Sequence, residues 1–238
     1  MTDELVARAL AYPFGIPRGS FLLDGGWAAP LSGEDPAAGG RRGILAFGAN
    51  AAPAALAAKL GPRAADARVP VVAAELRDFD VVYSAHVSPY GAIPGALQYS
   101  PGAIAAVHVV HLLPAELAAV HRSEPNYLFA RLRGLDLRLE DGTRQETIRA
   151  YVTRHGCLRR DGGHVGVAAI PVAERSWPQL DERGMLAAAR DALAPGEGLE
   201  DFVAAQIHSA ALAAERTAAL KRDAAPFAWE EWEEAAAA

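Results

Sequence analysis

Short apolar runs broken by Gly, Pro, Asn and Asp dominate the first two thirds of the chain; longer helical periodicity appears only in the last third. Ile44-Leu45-Ala46-Phe47 is a continuous apolar run and predicts a buried strand. A Gly48-Ala49-Asn50 turn follows, and Pro53 then opens Ala-Ala-Leu-Ala-Ala-Lys-Leu, which stops at Gly61-Pro62. Pro in a first turn and Gly-Pro after a last one are helix start and stop signals, so this unit reads strand, tight turn, helix. Residues 69–83 read as one strand or two, and 103–113 as another. Pro114 opens a short helix with Leu117 and Val120 as its apolar positions, and Ser123-Glu124-Pro125-Asn126 turns the chain into a strand, Tyr-Leu-Phe-Ala-Arg-Leu. The stretches around 135–139 and 147–152 flank Asp141-Gly142, a hairpin signal, and 164–172 is a further strand candidate. Residues 1–43 read as irregular: an amphipathic start (Leu5, Val6, Ala9, Leu10) gives way to Gly- and Pro-rich chain, with 32–43 as a mobile loop.

Residues 181–194 and 198–222 are helical in pattern. Leu199, Phe202, Val203, Ile207 and Ala211 share one face of the second, with acids at its start and Lys221-Arg222 at its end, as the helix dipole favours. Strands first and helices last predict an α+β fold with a helical C-terminal extension. The apolar faces of 181–222 leave two outcomes open, a homodimer or packing back onto the sheet. The acidic, Trp-containing tail is expected to dock or fray.

Composition narrows the function classes. The chain has 238 residues, a net charge of −6 and a pI near 5.7, with no basic block, which argues against a nucleic-acid partner because phosphate backbones need clustered Lys and Arg. Alanine makes up 54 positions, so helix assignments resting on Ala alone are discounted. Cys157 is the single cysteine, which rules out an internal disulfide and a Cys-based zinc site. Apolar stretches break well before the ~20 residues of a membrane span, and the N-terminus lacks a basic region before its apolar part. The expectation is a cytoplasmic protein without a membrane partner.

Three features carry candidate chemistry. The Phe47–Asn50 turn places Gly48 ahead of a helix start, where free N–H groups and the dipole can cradle a carboxylate or phosphate. Glu124, between a short helix and a strand, can be held rigidly and partly desolvated, as a proton-transfer group requires. The histidines are scattered: His108 and His111 fall on opposite faces of a strand, and no HExxH occurs, so no metal is expected. A thiol nucleophile at Cys157 is weaker than a small core residue there. Serine-hydrolase, P-loop and dinucleotide motifs are missing from the chain.

In combination these signals acquire a pattern. Residues 44–153 resemble the gamma-glutamylcyclotransferase-like family. The family's Y-G-S-N-L type turn reads Phe47-Gly48-Ala49-Asn50-Ala51 here; Val69-Pro70-Val71 and Leu76-Arg77-Asp78-Phe79 follow, then Ser100-Pro101-Gly102, and the L-D-x-x-E-G motif reads Val120-His121-Arg122-Ser123-Glu124-Pro125. Ala49 replaces a serine, Phe47 a tyrosine, His121 an aspartate and Pro125 a glycine. Pro125 has no N–H and restricts Glu124 to extended conformations.

The resemblance implies a compact mixed β-barrel with flanking helices over 44–175, an N-terminal extension over 1–43 and helices over 176–238. It also implies a pocket in which Phe47, Gly48, Ala49, Asn50 and Ala51, with Tyr151, bind the substrate, and Glu124 acts as general base and then acid. The substrate would be a small γ-glutamyl amide whose own amine attacks its γ-carbonyl, releasing 5-oxoproline without cofactor or metal. The altered turn leaves two alternatives: a non-catalytic ligand- or partner-binding module on the same fold, or an amidase or amide lyase for an amide that is not γ-glutamyl.

Overall fold

The computed structural model describes residues 2–33 and 35–236. It is an α+β protein built on a large mixed sheet. Two long antiparallel strands, β4 (Arg68–Tyr83) and β5 (Gly95–Leu112), form the spine. β3 (Arg42–Ala46) pairs antiparallel with β5 on one edge and parallel with β9 (Ile148–Thr153) on the other. β6 (Tyr127–Leu132) continues antiparallel from β9, and the tail segment Trp232–Glu234 covers the outer edge of β6.

The run at 69–83 is one strand. It bends at Asp78, a bulge residue with φ 62° whose Oδ1 accepts the Gly102 N–H at 2.7 Å. β7 (Leu137–Leu139) pairs with β4, and Asp141-Gly142 turns it into the two-residue β8 (Arg144–Gln145). The hairpin expected across Asp141-Gly142 therefore does not include 148–153, which instead lies between β3 and β6. The strand expected at 164–172 is reduced to the short pieces Gly163–His164, Gly166–Val167 and Val172–Ala173, because Pro171 and a turn at 168–170 interrupt it.

The first 43 residues, expected to be irregular, hold helix α1 (Thr2–Leu10) and the hairpin β1 (Phe21–Asp24) to β2 (Trp27–Pro30), which β1 adds to β4. The expected loop at 32–43 includes Glu34, which lies outside the described residues; its last two residues open β3.

Strand alternation separates two cores on the two faces of the sheet. Leu45, Ile148, Ala150 and Val152 face one, where α1, α4 (Glu182–Leu193) and α5 (Leu199–His208) supply Val6, Leu186 and Phe202. Ile44, Ala46 and Tyr151 face the other, closed by Leu56 and Leu60 of α2 (Pro53–Leu60) and by Leu117 and Val120 of α3 (Pro114–Arg122). Each Val, Leu, Ile and Phe side chain among them, fully buried, contributes roughly 1.5–3 kcal/mol of transfer free energy. The apolar faces of α4 and α5 are thus spent on the sheet. The single helix expected over 198–222 breaks at Ser209, which adopts extended geometry and caps α6 (Ala210–Leu220) by accepting the Leu212 N–H at 3.2 Å. Among the described residues no helix is long and apolar enough to cross a membrane.

Candidate active site

Glu124 is fixed by local backbone chemistry. Its N–H donates to His121 O at the end of α3, and its C=O accepts from Tyr127 N at the start of β6. Pro125 and Asn126 form the middle of that turn, and Pro suits its first central position. The carboxylate therefore leaves the α3–β6 corner in one direction. There it meets the end of β3 and the turn after it, because β6, β9 and β3 are adjacent in the sheet.

Glu124 and the Gly48 turn line one hollow of about 90 Å³. Asn50 Nδ2 donates to Glu124 Oε1 at 2.9 Å, and Lys59 Nζ donates to the same oxygen at 2.5 Å. Lys59 also donates to Asn50 Oδ1 at 2.8 Å, so the three side chains close a triangle. The pair is largely withdrawn from solvent, with Glu124 9% and Lys59 19% exposed in their side chains. Among the described residues Glu124 Oε2 carries no hydrogen bond.

Gly48 precedes a 3₁₀ turn (Ala49–Ala51) that runs into α2. The amides of Ala51 and Ala52 bond back to Gly48 O and Ala49 O, while those of Ala49 and Asn50 donate to nothing among the described residues. The requirement for glycine here is steric: a Cβ at position 48 would stand 2.5 Å from Tyr12 Oη. That hydroxyl accepts the Gly95 N–H at 2.7 Å and lines the hollow, and Tyr127 Oη donates to Gly95 O at 2.9 Å. Burial pushes both phenols well above their ordinary range, so they stay protonated donors.

Of the residues expected to bind substrate, Phe47, Gly48, Ala49, Asn50 and Tyr151 border the hollow with Glu124. Ala51 does not. Its methyl is fully buried beneath α2 and its amide closes the 3₁₀ turn, so it belongs to the core. Tyr151 reaches the hollow with its hydroxyl already engaged, 2.7 Å from His121 Nδ1. His121, at the position of the family's aspartate, packs edge-on to Phe129 at 4.5 Å; burial lowers its pKa despite the nearby Glu124 charge.

Lys59, Tyr12, Tyr127 and a polar wall also border the hollow, and none of them stood out in the sequence. His86 lines that wall, with Nδ1 2.8 Å from Ser84 Oγ and its ring 4.8 Å from that of His155, whose Nε2 is 3.1 Å from Asn126 Oδ1. Burial, reinforced by His155, pulls the His86 pKa down to about 3, so the imidazole is neutral. One signal for Lys59 was present: it is the lone charged residue of an otherwise apolar α2. Tyr12 carried none, since it lies 36 residues before Gly48 in a stretch without periodicity.

His108 sits by Phe21, with ring centroids 6.2 Å apart, and His111 borders a separate cavity. Cys157 is fully buried, its thiol pushed up to about 12 by burial, which suits a core residue rather than a nucleophile. No family model matches the chain, and no curated protein or solved structure matches it.

Proposed function

We propose that the protein is a gamma-glutamylcyclotransferase-like enzyme that cleaves a small γ-glutamyl amide by intramolecular attack. The observation that carries this reading is the convergence of the Glu124 carboxylate and the Gly48 turn on one hollow. The same reading takes the sheet as the mixed β-barrel of that family.

The α-carboxylate of the substrate sits on the unpartnered amides of Ala49 and Asn50, with the Lys59 ammonium and the Tyr12 hydroxyl as further donors at the rim. Glu124 Oε2 takes a proton from the α-amine. The freed amine adds to the γ-carbonyl, the C–N bond to the leaving amine breaks, and Glu124 returns the proton to that amine. A five-membered lactam, 5-oxoproline, and an amine leave. The nucleophile belongs to the substrate, so no covalent enzyme intermediate is required. Holding amine and carbonyl in near-attack geometry contributes up to ~7–11 kcal/mol, and one positioned carboxylate adds about 10²–10⁴-fold. Asn50 and Lys59 keep the carboxylate in place by occupying Oε1 and leaving Oε2 open. A hollow of about 90 Å³ suits a compact acyl group, with the leaving amine directed outward.

The ion pair favours a second reading, a binding module on the same fold, because Lys59 already engages the carboxylate. Incubation with a panel of γ-glutamyl amines and amino acids, assayed for 5-oxoproline, separates the two. Release from at least one member is expected. Release of free glutamate, or cleavage only of amides lacking the γ-glutamyl group, would instead make the protein an amidase. No turnover, together with saturable binding, would leave the module.

A further inference from the structure

A second cavity, of about 280 Å³, opens at the other end of the same strands, where β3 and β9 begin and β6 ends. Arg41, Arg131 and Arg149 line it, and no carboxylate does. Arg131 and Arg149 are direct cross-strand partners on β6 and β9. Like charges placed so oppose strand pairing unless something of opposite sign lies between them. Two of the three arginines carry an internal carboxylate outside the cavity lining, Glu116 on Arg41 at 2.9 Å and Glu233 on Arg131 at 3.9 Å at the exposed tail edge, which leaves Arg149 uncompensated. Arg149 has no hydrogen-bond or ion-pair partner among the described residues.

His111 supplies an independent observation. It is 7% exposed and lines this cavity, and both of its ring nitrogens lack a hydrogen-bond partner. Burial, with the Arg41 charge beside it, lowers its pKa. A neutral imidazole still carries one N–H to donate, and leaving it unmade costs stability unless a ligand accepts it. Gly43, the partner of His111 on β3, packs closely here: a Cβ on it would stand 3.0 Å from Val109 Cγ1 and 3.6 Å from His111 Cε1.

We propose that this cavity is a second ligand site, which binds a compact multivalent oxyanion, a phosphate or phosphate monoester. Arginine forks match phosphate oxygens in pairs, and a buried imidazole N–H adds a neutral donor. The chain as a whole is acidic, with net charge −6, so anion capture here is a local property. The volume is many times the roughly 30 Å³ of one liquid water, so a small organic group attached to the phosphate fits as well.

The test is calorimetric titration of the full chain with inorganic phosphate and with glycerol phosphate, at ionic strength matched with chloride. Saturable one-to-one binding is expected for at least one of them, with the monoester tighter if the organic group is seated. Arg149→Gln, whose side chain reaches the surface, should weaken it about tenfold or more, and Lys59→Met, in the first hollow, should leave it unchanged. Absence of saturable binding, equal affinity in Arg149→Gln, or a loss that follows Lys59→Met would overturn the proposal, whatever the outcome for 5-oxoproline release.

Discussion

Gly48 and Gly95 sit on either side of a single hydroxyl, that of Tyr12, and this contact ties the N-terminal segment to the site. A Cβ on Gly48 would lie 2.5 Å from Tyr12 Oη, and one on Gly95 would lie 3.0 Å from it. Gly48→Ala is therefore expected to displace the tyrosine, costing about 1–3 kcal/mol as overpacking does and lowering any turnover. Adding Tyr12→Phe should restore part of the melting temperature, because it removes the clashing oxygen, although Gly95 N–H then loses its acceptor. Thermal melts of the single and double variants check this; additive losses would show that the two residues do not meet. The sequence offered Gly48 and Asn50 as a strand-to-helix turn and Glu124 as a helix-to-strand corner, the family resemblance joined them in one pocket, and they do border one hollow. Tyr12 was not legible, since nothing local marks a residue whose only role is a distant contact.

Elements show the same division. Pro53 and Pro114 marked the starts of α2 and α3, and apolar runs located β3, β4, β6 and β9, because burial writes itself into short windows of sequence. Pairing does not. Asp141-Gly142 gave a correct turn but the wrong second strand, since the two-residue β8 that it serves has no periodicity to detect. The hairpin β1–β2 did carry a signal: Gly25-Gly26, both at positive φ, joins two tetrads directly. Ser209 was a missed helix cap hidden in an alanine-rich stretch. The tail docks as a strand on β6, anchored by Trp229, whose Nε1 donates to Arg133 O at 2.9 Å and whose ring lies 5.2 Å from both Phe79 and Tyr99. Trp229→Ala is expected to destabilise by about 2–3 kcal/mol, less than for a fully buried Trp. A denaturant midpoint that barely moves would mean the tail contributes little to the fold.

The whole molecule buries titratable groups of both kinds, and they act in opposite directions. Burial holds His86, His108, His111, His121, His155 and His164 below the ordinary 6.5. The unfolded chain takes up these protons first, so their contribution to stability is present above pH 6.5 and is lost as the pH falls below it. Burial raises Glu182 well above the ordinary 4.5; its Oε1 accepts the Ile93 N–H at 2.7 Å and its Oε2 has no partner. Its contribution is present below pH 4.5 and is lost as the pH rises through the folded value. Six histidines outweigh one carboxyl on the acid side, so stability should fall as the pH drops below 6.5, while the ionisation of Glu182 opposes folding as the pH rises. Glu182→Gln, which keeps the acceptor and removes the titration, should flatten the alkaline decline. Melting temperatures from pH 5 to 9 decide it, and parallel alkaline slopes in the two proteins would remove Glu182 from the explanation.

In the proposed reaction the Glu124 carboxylate moves the proton in a hollow it shares with the Gly48 turn. The most direct measurement is the rate of 5-oxoproline release from the best γ-glutamyl compound by the parent protein and by Glu124→Gln, with folding of both checked by their melting curves. A fall of at least about 10²-fold in kcat is expected for the variant, the scale of one general acid–base group, with the fold retained. A folded variant that releases 5-oxoproline at the parent rate would contradict it.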